Sequence, residues 1–195
     1  MRPDHNSPIY IVGNARHGKT TVATLLAGIL DCGYADSSLF MADKVVRPYL
    51  AEKYDLHYTS AEHAHADRGG YRKDWRDAIM LYNQADPAKL SSAIFAENRI
   101  YCGCRSELEY AAGRERHGAF GLYVDAFDRL GTTEDTFDIP AHSCDAVLDN
   151  NGAWCDTVNR LMTIVANYNL DGSHSTAGRR GAGVLPPTTG EGYDQ

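Results

Sequence analysis

The chain has 195 residues, with 19 lysines and arginines against 26 aspartates and glutamates, for a formal net charge of −7. This length supports one domain with a tail. The hydrophobic content of 43%, without any apolar run of membrane-span length, points to a globular protein and away from a membrane-spanning one. Residues 118–171 hold two basic side chains, Arg129 and Arg160, against nine acidic ones, while the arginine-rich middle of the chain is neutral; this excludes a protein that coats DNA through one broad basic face but leaves room for local arginine clamps on phosphates.

Residues 1–8 read as a polar leader without a signal-peptide core. The apolar run Ile9-Tyr10-Ile11-Val12 predicts a first strand over 9–13, and Thr21 to Leu30 has helical character with Gly33 as a stop signal. Ser38-Leu39-Phe40-Met41 reads as a second strand, with Asp36 at its far end and Asp43 capping a helix toward Tyr54. Residues 55–70, with His63, His65 and Gly69-Gly70, read as a mobile loop. Trp75, Ile79 and Tyr82 predict a helix over 71–82 whose polar side carries Arg72, Lys73 and Arg76. Asp86-Pro87 starts another helix, with Leu90, Ile94 and Phe95 inside. Strand three is Ile100 to Cys104, followed by Arg105 and the capping pattern Ser106-Glu107-Leu108-Glu109. Strand four is 120–124, residues 126–140 form an acidic connection, and strand five is 145–149. Asn150-Asn151-Gly152 then turns into a last helix with Trp154, Val158, Leu161, Met162 and Val165 as its apolar face. From 171 to 195 Gly, Ser, Thr and Pro dominate, and a disordered tail is expected.

Between the first strand and the first helix stands Gly13-Asn14-Ala15-Arg16-His17-Gly18-Lys19-Thr20, which fills every fixed position of G-x-x-x-x-G-K-[ST]. Glycines let successive backbone N–H groups point inward at a phosphate, and the helix start adds its positive dipole end. Residues 13–20 and Thr21 therefore form the expected triphosphate site, with Lys19 reaching the β- and γ-phosphates and the Thr20 hydroxyl on Mg²⁺. A P-loop α/β fold follows: a parallel five-stranded sheet with helices on both faces, occupying residues 9–170, with the loop, Asp43, Arg105 and Asp125 at the carboxyl edge.

The segments GNARHGKT, SSLFMADKVVRPYL, YCGCRSELE and VLDNNG occur in the order found in small bacteriophage nucleotide kinases, and over residues 9–167 the chain resembles the deoxynucleoside monophosphate kinase-like group of P-loop kinases. That resemblance implies ATP and Mg²⁺ as cofactors and the cytoplasm of an infected bacterium as the setting, with which five cysteines in an odd, scattered arrangement agree. The group includes enzymes that phosphorylate the hydroxymethyl group of 5-hydroxymethyluracil in DNA, a step toward hypermodified thymidines, so the implied acceptor is modified DNA or a free deoxynucleotide. No membrane or protein partner is indicated. Two departures bear on the choice. Gly103 stands where the family carries an acid on strand three, and the lid over 126–140 holds only Arg129 among Glu134, Asp135 and Asp138.

A phosphate acceptor needs clamps, whereas a hydroxymethyl acceptor must also lose a proton. Asp43 is the candidate general base, with helix capping as its plain alternative, and Asp36 is a second candidate for base or metal contact. Lys19, Asp43 and Arg105 make up the expected catalytic set, and Arg72, Arg76 and Arg129 the expected acceptor contacts; a solvated face explains the helix arginines equally well. Trp75 reads as core, Cys102 and Cys104 as buried thiols sharing one face of a strand, and His63-x-His65 as loop histidines. Asn150 and Asn151 either shape an adenine-holding loop or form a simple turn. A nucleotide-dependent switch with slow hydrolysis is the reading from a different class.

Overall fold

The computed structural model describes residues 6–131 and 137–172. Expectations for residues 1–5, for Glu134 and Asp135 in the lid, and for the tail from 173 onward lie outside the described residues. Five parallel strands, β1 (Ile9–Val12), β2 (Tyr34–Asp36), β3 (Ile100–Cys102), β4 (Phe120–Asp125) and β5 (Ala146–Asp149), form one sheet in the order β2-β3-β1-β4-β5. The central strand β1 is registered against both neighbours, Ile9 opposite Ile100 on one side and Phe120 on the other. All four of its residues are fully buried, as a strand covered on both faces requires.

Strand alternation divides β1 between two cores. Ile9 and Ile11 pack with Val22 and Leu26 of α1 (Lys19–Leu30) and with Leu161 and Val165 of the C-terminal helix, Trp154–Asn167. Tyr10 and Val12 face the other side, toward Met41, Leu90, Ile94, Tyr101 and Tyr110. In the C-terminal helix the buried residues are Thr157, Leu161 and Val165, whereas Trp154 and Met162, expected inside, are exposed. No described helix is long and apolar enough to cross a membrane.

The second strand differs from expectation. Residues 38–41 are not strand: the chain pairs at Tyr34–Asp36, and Ser37–Met41 is already helix α2. The Asp36 carboxylate accepts the Ser38 backbone N–H at 2.9 Å and caps that helix, a role the sequence reading gave to Asp43. From α2 the helix runs through a π turn at Ala42–Val46 into α3 (Arg47–Tyr54). Pro48 has no N–H to give to the carbonyl of Lys44 four residues earlier, and the helix widens just there.

Of the stretch 55–70 expected as a mobile loop, residues 55–60 are irregular, but from 61 onward the chain is helical. Ser60 caps α4 (Ala61–Ala66) by accepting the His63 N–H at 3.1 Å, and a 3₁₀ turn over Asp67–Tyr71 leads into α5 (Arg72–Asn83). Ties to its surroundings hold it: Arg47 donates to the Tyr58 carbonyl at 3.0 Å, and the Tyr58 hydroxyl donates to Asp67 at 2.6 Å. Val46, Leu50, Ala64, Trp75 and Ala78 make a third core beneath these helices. Helix α6 (Lys89–Phe95) returns the chain to β3, and α7 (Glu107–His117) follows it, stopping at Gly118. A short α8 (Phe127–Leu130) and a 3₁₀ turn at Ala141–Ser143 precede β5, and α9 is the C-terminal helix Trp154–Asn167.

Candidate functional site

The loop 13–20 leaves the carboxyl end of β1 and enters α1 at Lys19, as its motif requires. Gly13 has φ +138°, and a Cβ there would collide with the Val124 carbonyl oxygen of β4, so no other residue fits. Two side chains from outside hold the loop. The Asn150 amide donates to the His17 carbonyl at 2.9 Å and accepts the Thr157 hydroxyl at 2.9 Å. This bracing of the loop, more than a simple turn, is what Asn150 does, while Asn151 binds the Asp149 carboxylate and accepts the Arg129 N–H.

His17 is fully buried, and its ring is engaged by the 126–131 segment. Its Nδ1 accepts the Ala126 N–H at 3.0 Å, which leaves Nε2–H to donate to the Gly131 carbonyl at 3.0 Å. Within the expected set 13–20, then, His17 contributes backbone and ties the loop to the base of the 126–131 segment. Lys19 folds across the loop, donating to the Asn14 carbonyl at 2.7 Å. The Thr20 hydroxyl faces the Asp36 carboxylate at 3.5 Å. Thr20 and Asp36 together offer the hard oxygen donors that Mg²⁺ takes in nucleotide sites, where one or two protein oxygens suffice beside the phosphates. Among the described residues no cluster of three or more His, Cys, Asp or Glu side chains could hold a metal ion by itself, and His63-x-His65 forms no such site.

Beside the loop lies a cavity of about 950 Å³ whose wall includes five arginines, Arg16, Arg68, Arg72, Arg76 and Arg105, and one acid, Glu109. Arg72 and Arg76 come from successive turns of α5, Arg16 from the loop itself, and Arg105 from the connection between β3, which ends at Cys102 and not at Cys104 as expected, and α7. Arg68 was missed in sequence because it stands in the stretch read as a loop; its guanidinium lies over the Trp75 ring at 5.8 Å and donates to Ser38 at 3.4 Å. Trp75 is core, as expected, though one edge reaches the cavity.

Two expected site residues stand elsewhere. Asp43 is exposed in the π turn, bound to Arg47 at 2.9 Å and Lys44 at 3.6 Å, and does not line the cavity. The shift follows from the strand: with β2 ending at Asp36, the carboxyl edge of the sheet belongs to Asp36 and Asp43 lies two helical turns beyond it. Arg129 is exposed on α8 and is likewise absent from the cavity wall. Cys102 and Cys104 are both buried but face opposite cores, because Gly103 at φ +95° breaks the strand alternation between them. Both thiols are 1% exposed, and burial pushes the Cys102 thiol up to about 12 and Cys104 well above the ordinary thiol range, as for structural buried cysteines.

No family model and no curated protein matches this chain. Among solved structures it is similar to a sugar kinase from a Janibacter species, at 15% identity over 86% of this chain and 96% of that one, with a TM-score of 0.45. It is also similar to shikimate kinase from Aquifex aeolicus (14% identity, 84% and 99% covered, TM-score 0.44) and to a gluconokinase from Sinorhizobium meliloti (13%, 88% and 100%, 0.47).

Proposed function

We propose that this chain is an ATP- and Mg²⁺-dependent P-loop phosphotransferase whose acceptor is the hydroxymethyl group of 5-hydroxymethyluracil in DNA. The observation that carries the reading is the five-arginine cavity opening beside the phosphate loop. An acceptor held there carries phosphate, as a nucleotide does, and its volume suits one nucleotide unit. Asp36 replaces Asp43 as the base: its carboxylate accepts the Thr20 hydroxyl at 3.5 Å at the end of β2, and although it is not itself part of the cavity wall, Ser37 and Ser38, which follow it, are. A hydroxyl acceptor uses both features, clamps for its phosphates and a base for its proton.

In this mechanism the loop backbone and Lys19 hold the triphosphate, and Arg16 and Arg105 meet charge on the transferring group. Thr20, with Asp36 beside it, would hold Mg²⁺, which would supply charge neutralisation on the triphosphate. The acceptor oxygen bonds to the γ-phosphorus as the bond to the ADP oxygen breaks, and the hydroxyl proton passes to the Asp36 carboxylate. Arg68, Arg72 and Arg76 grip the acceptor's own phosphates.

A second reading, a deoxynucleoside monophosphate kinase, is favoured by the arginines alone, since a phosphate acceptor needs clamps and no base. The experiment offers [γ-labelled] ATP and Mg²⁺ with each free dNMP, ordinary DNA, and DNA containing 5-hydroxymethyluracil. Label on the modified DNA alone is the expected result. Label on a free monophosphate would replace the first reading by the second, and ATP binding with no transfer to any acceptor would leave a nucleotide-dependent switch.

A further inference from the structure

Glu109 has no part in the phosphate chemistry, yet its position is unusual. The pattern Ser106-x-x-Glu109 predicts a carboxylate reaching back to the Ser106 backbone N–H. Ser106 fulfils its half, accepting the Glu109 N–H at 3.4 Å. The Glu109 carboxylate turns into the cavity wall instead. There Oε1 accepts the Tyr101 hydroxyl at 2.7 Å and the Ser91 hydroxyl at 3.3 Å, and Oε2 accepts the Asn83 amide at 3.3 Å.

Glu109 is 7% exposed, and its hydrogen-bond partners are all neutral. A carboxylate has about four acceptor positions, so one remains for a donor in the cavity. Burying a carboxylate without a cation is expensive, and burial raises the Glu109 pKa. The cavity is graded from wet to dry: Arg16, Arg72, Arg76 and Arg105 are exposed, whereas Met41, Trp75, Leu90, Tyr101 and Glu109 are buried. A ligand with its anion on the arginines therefore places its other end between apolar side chains, against the Glu109 acceptor. The complement is a flat ring with apolar faces and an N–H on its edge.

We propose that Glu109 reads the N–H edge of the acceptor's nucleobase and so determines which base is accepted. For a uracil-type ring that edge is N3–H. A ring presenting only a lone pair or a methyl group there leaves the buried carboxylate unpaired and is rejected. The inference rests on the reading of the cavity as the acceptor site.

The test measures binding by titration calorimetry with a non-hydrolysable ATP analogue present. The ligands are single-stranded trinucleotides whose central unit is 5-hydroxymethyluracil, its N3-methyl derivative, or an abasic sugar. In the wild-type protein, N3-methylation is expected to weaken binding about tenfold or more, the scale of one charge-assisted hydrogen bond. In Glu109→Gln, shown folded by thermal melting, that ratio collapses toward one while the abasic strand binds as before. Equal binding of the first two strands to the wild-type protein, which needs no variant, would overturn the inference, as would a ratio that survives in Glu109→Gln. Abasic and intact strands binding equally well would sink the role of Glu109 alone. If none of the three binds, the acceptor-site reading fails and the inference falls with it.

Discussion

Replacing Asn150 with alanine removes two hydrogen bonds that meet inside the protein, one to the His17 carbonyl and one from the Thr157 hydroxyl, both 2.9 Å long. His17 and Thr157 are both 0% exposed, so water does not take the place of the lost amide. A buried donor or acceptor left without a partner costs about 1–3 kcal/mol. The Thr157 hydroxyl, inside a helix, can turn to a carbonyl one turn back, so most of the penalty falls on His17 and the expected total is about 3 kcal/mol. For a domain of this size that is a fall in Tm of roughly 6–12 °C. The His17 carbonyl belongs to the phosphate loop, so the same change should loosen the loop's N–H groups and weaken ATP binding about tenfold. Urea denaturation gives the first quantity and titration calorimetry the second. A stability loss below about 1 kcal/mol together with unchanged ATP affinity would refute the idea that the loop is braced from the end of β5.

Asp36→Asn keeps a residue able to cap α2 and removes the base, so kcat should fall about 10²–10⁴-fold with acceptor KM nearly unchanged; a loss confined to ATP KM in steady-state assays would assign Asp36 to nucleotide positioning instead. Joint replacement of Arg72 and Arg76 by glutamine should raise acceptor KM and flatten its salt dependence, leaving ATP KM alone, while Arg129→Gln does neither; equal effects from both would mean the cavity does not hold the acceptor. Burial holds the Glu109 carboxyl above its ordinary 4.5, so the folded state binds this proton more tightly than the unfolded chain. The stability it contributes is present below 4.5 and is lost as pH rises through the raised value. Denaturation curves at about neutral pH and about pH 5 should therefore show the wild type gaining stability on acidification relative to Glu109→Gln, and parallel pH profiles would show that Glu109 does not titrate differently on folding.

Local pattern was enough wherever a physical requirement is itself local. The glycines and lysine of 13–20 state a backbone geometry and a charge that a strand–loop–helix must satisfy. The apolar runs at 9–12, 100–102 and 120–124 state burial on both faces, and Ser106 states a helix start. From these the parallel sheet, the phosphate loop and the place of Arg105 followed without any coordinates. Where the requirement was not local, the chain alone misled. Ser38-Leu39-Phe40-Met41 has the composition of a strand, but the Asp36 cap and the packing of Met41 against Tyr10 and Leu90 made it a helix and moved the edge carboxylate from Asp43 to Asp36. Residues 61–71 carry no apolar period, and only their seat on the Trp75 core and the Arg47 and Tyr58 tethers turn them into structure that delivers Arg68. Glu109 obeyed its local pattern in the backbone and left it with its side chain, because three donors distant in sequence outweigh one backbone N–H. Sequence alone determined that a loop with the phosphate-binding pattern stands at the end of β1. Tertiary packing decided which arginines and which acids surround that loop, since convergence from α5, β3 and α7 is a property of the folded contacts and not of any single segment.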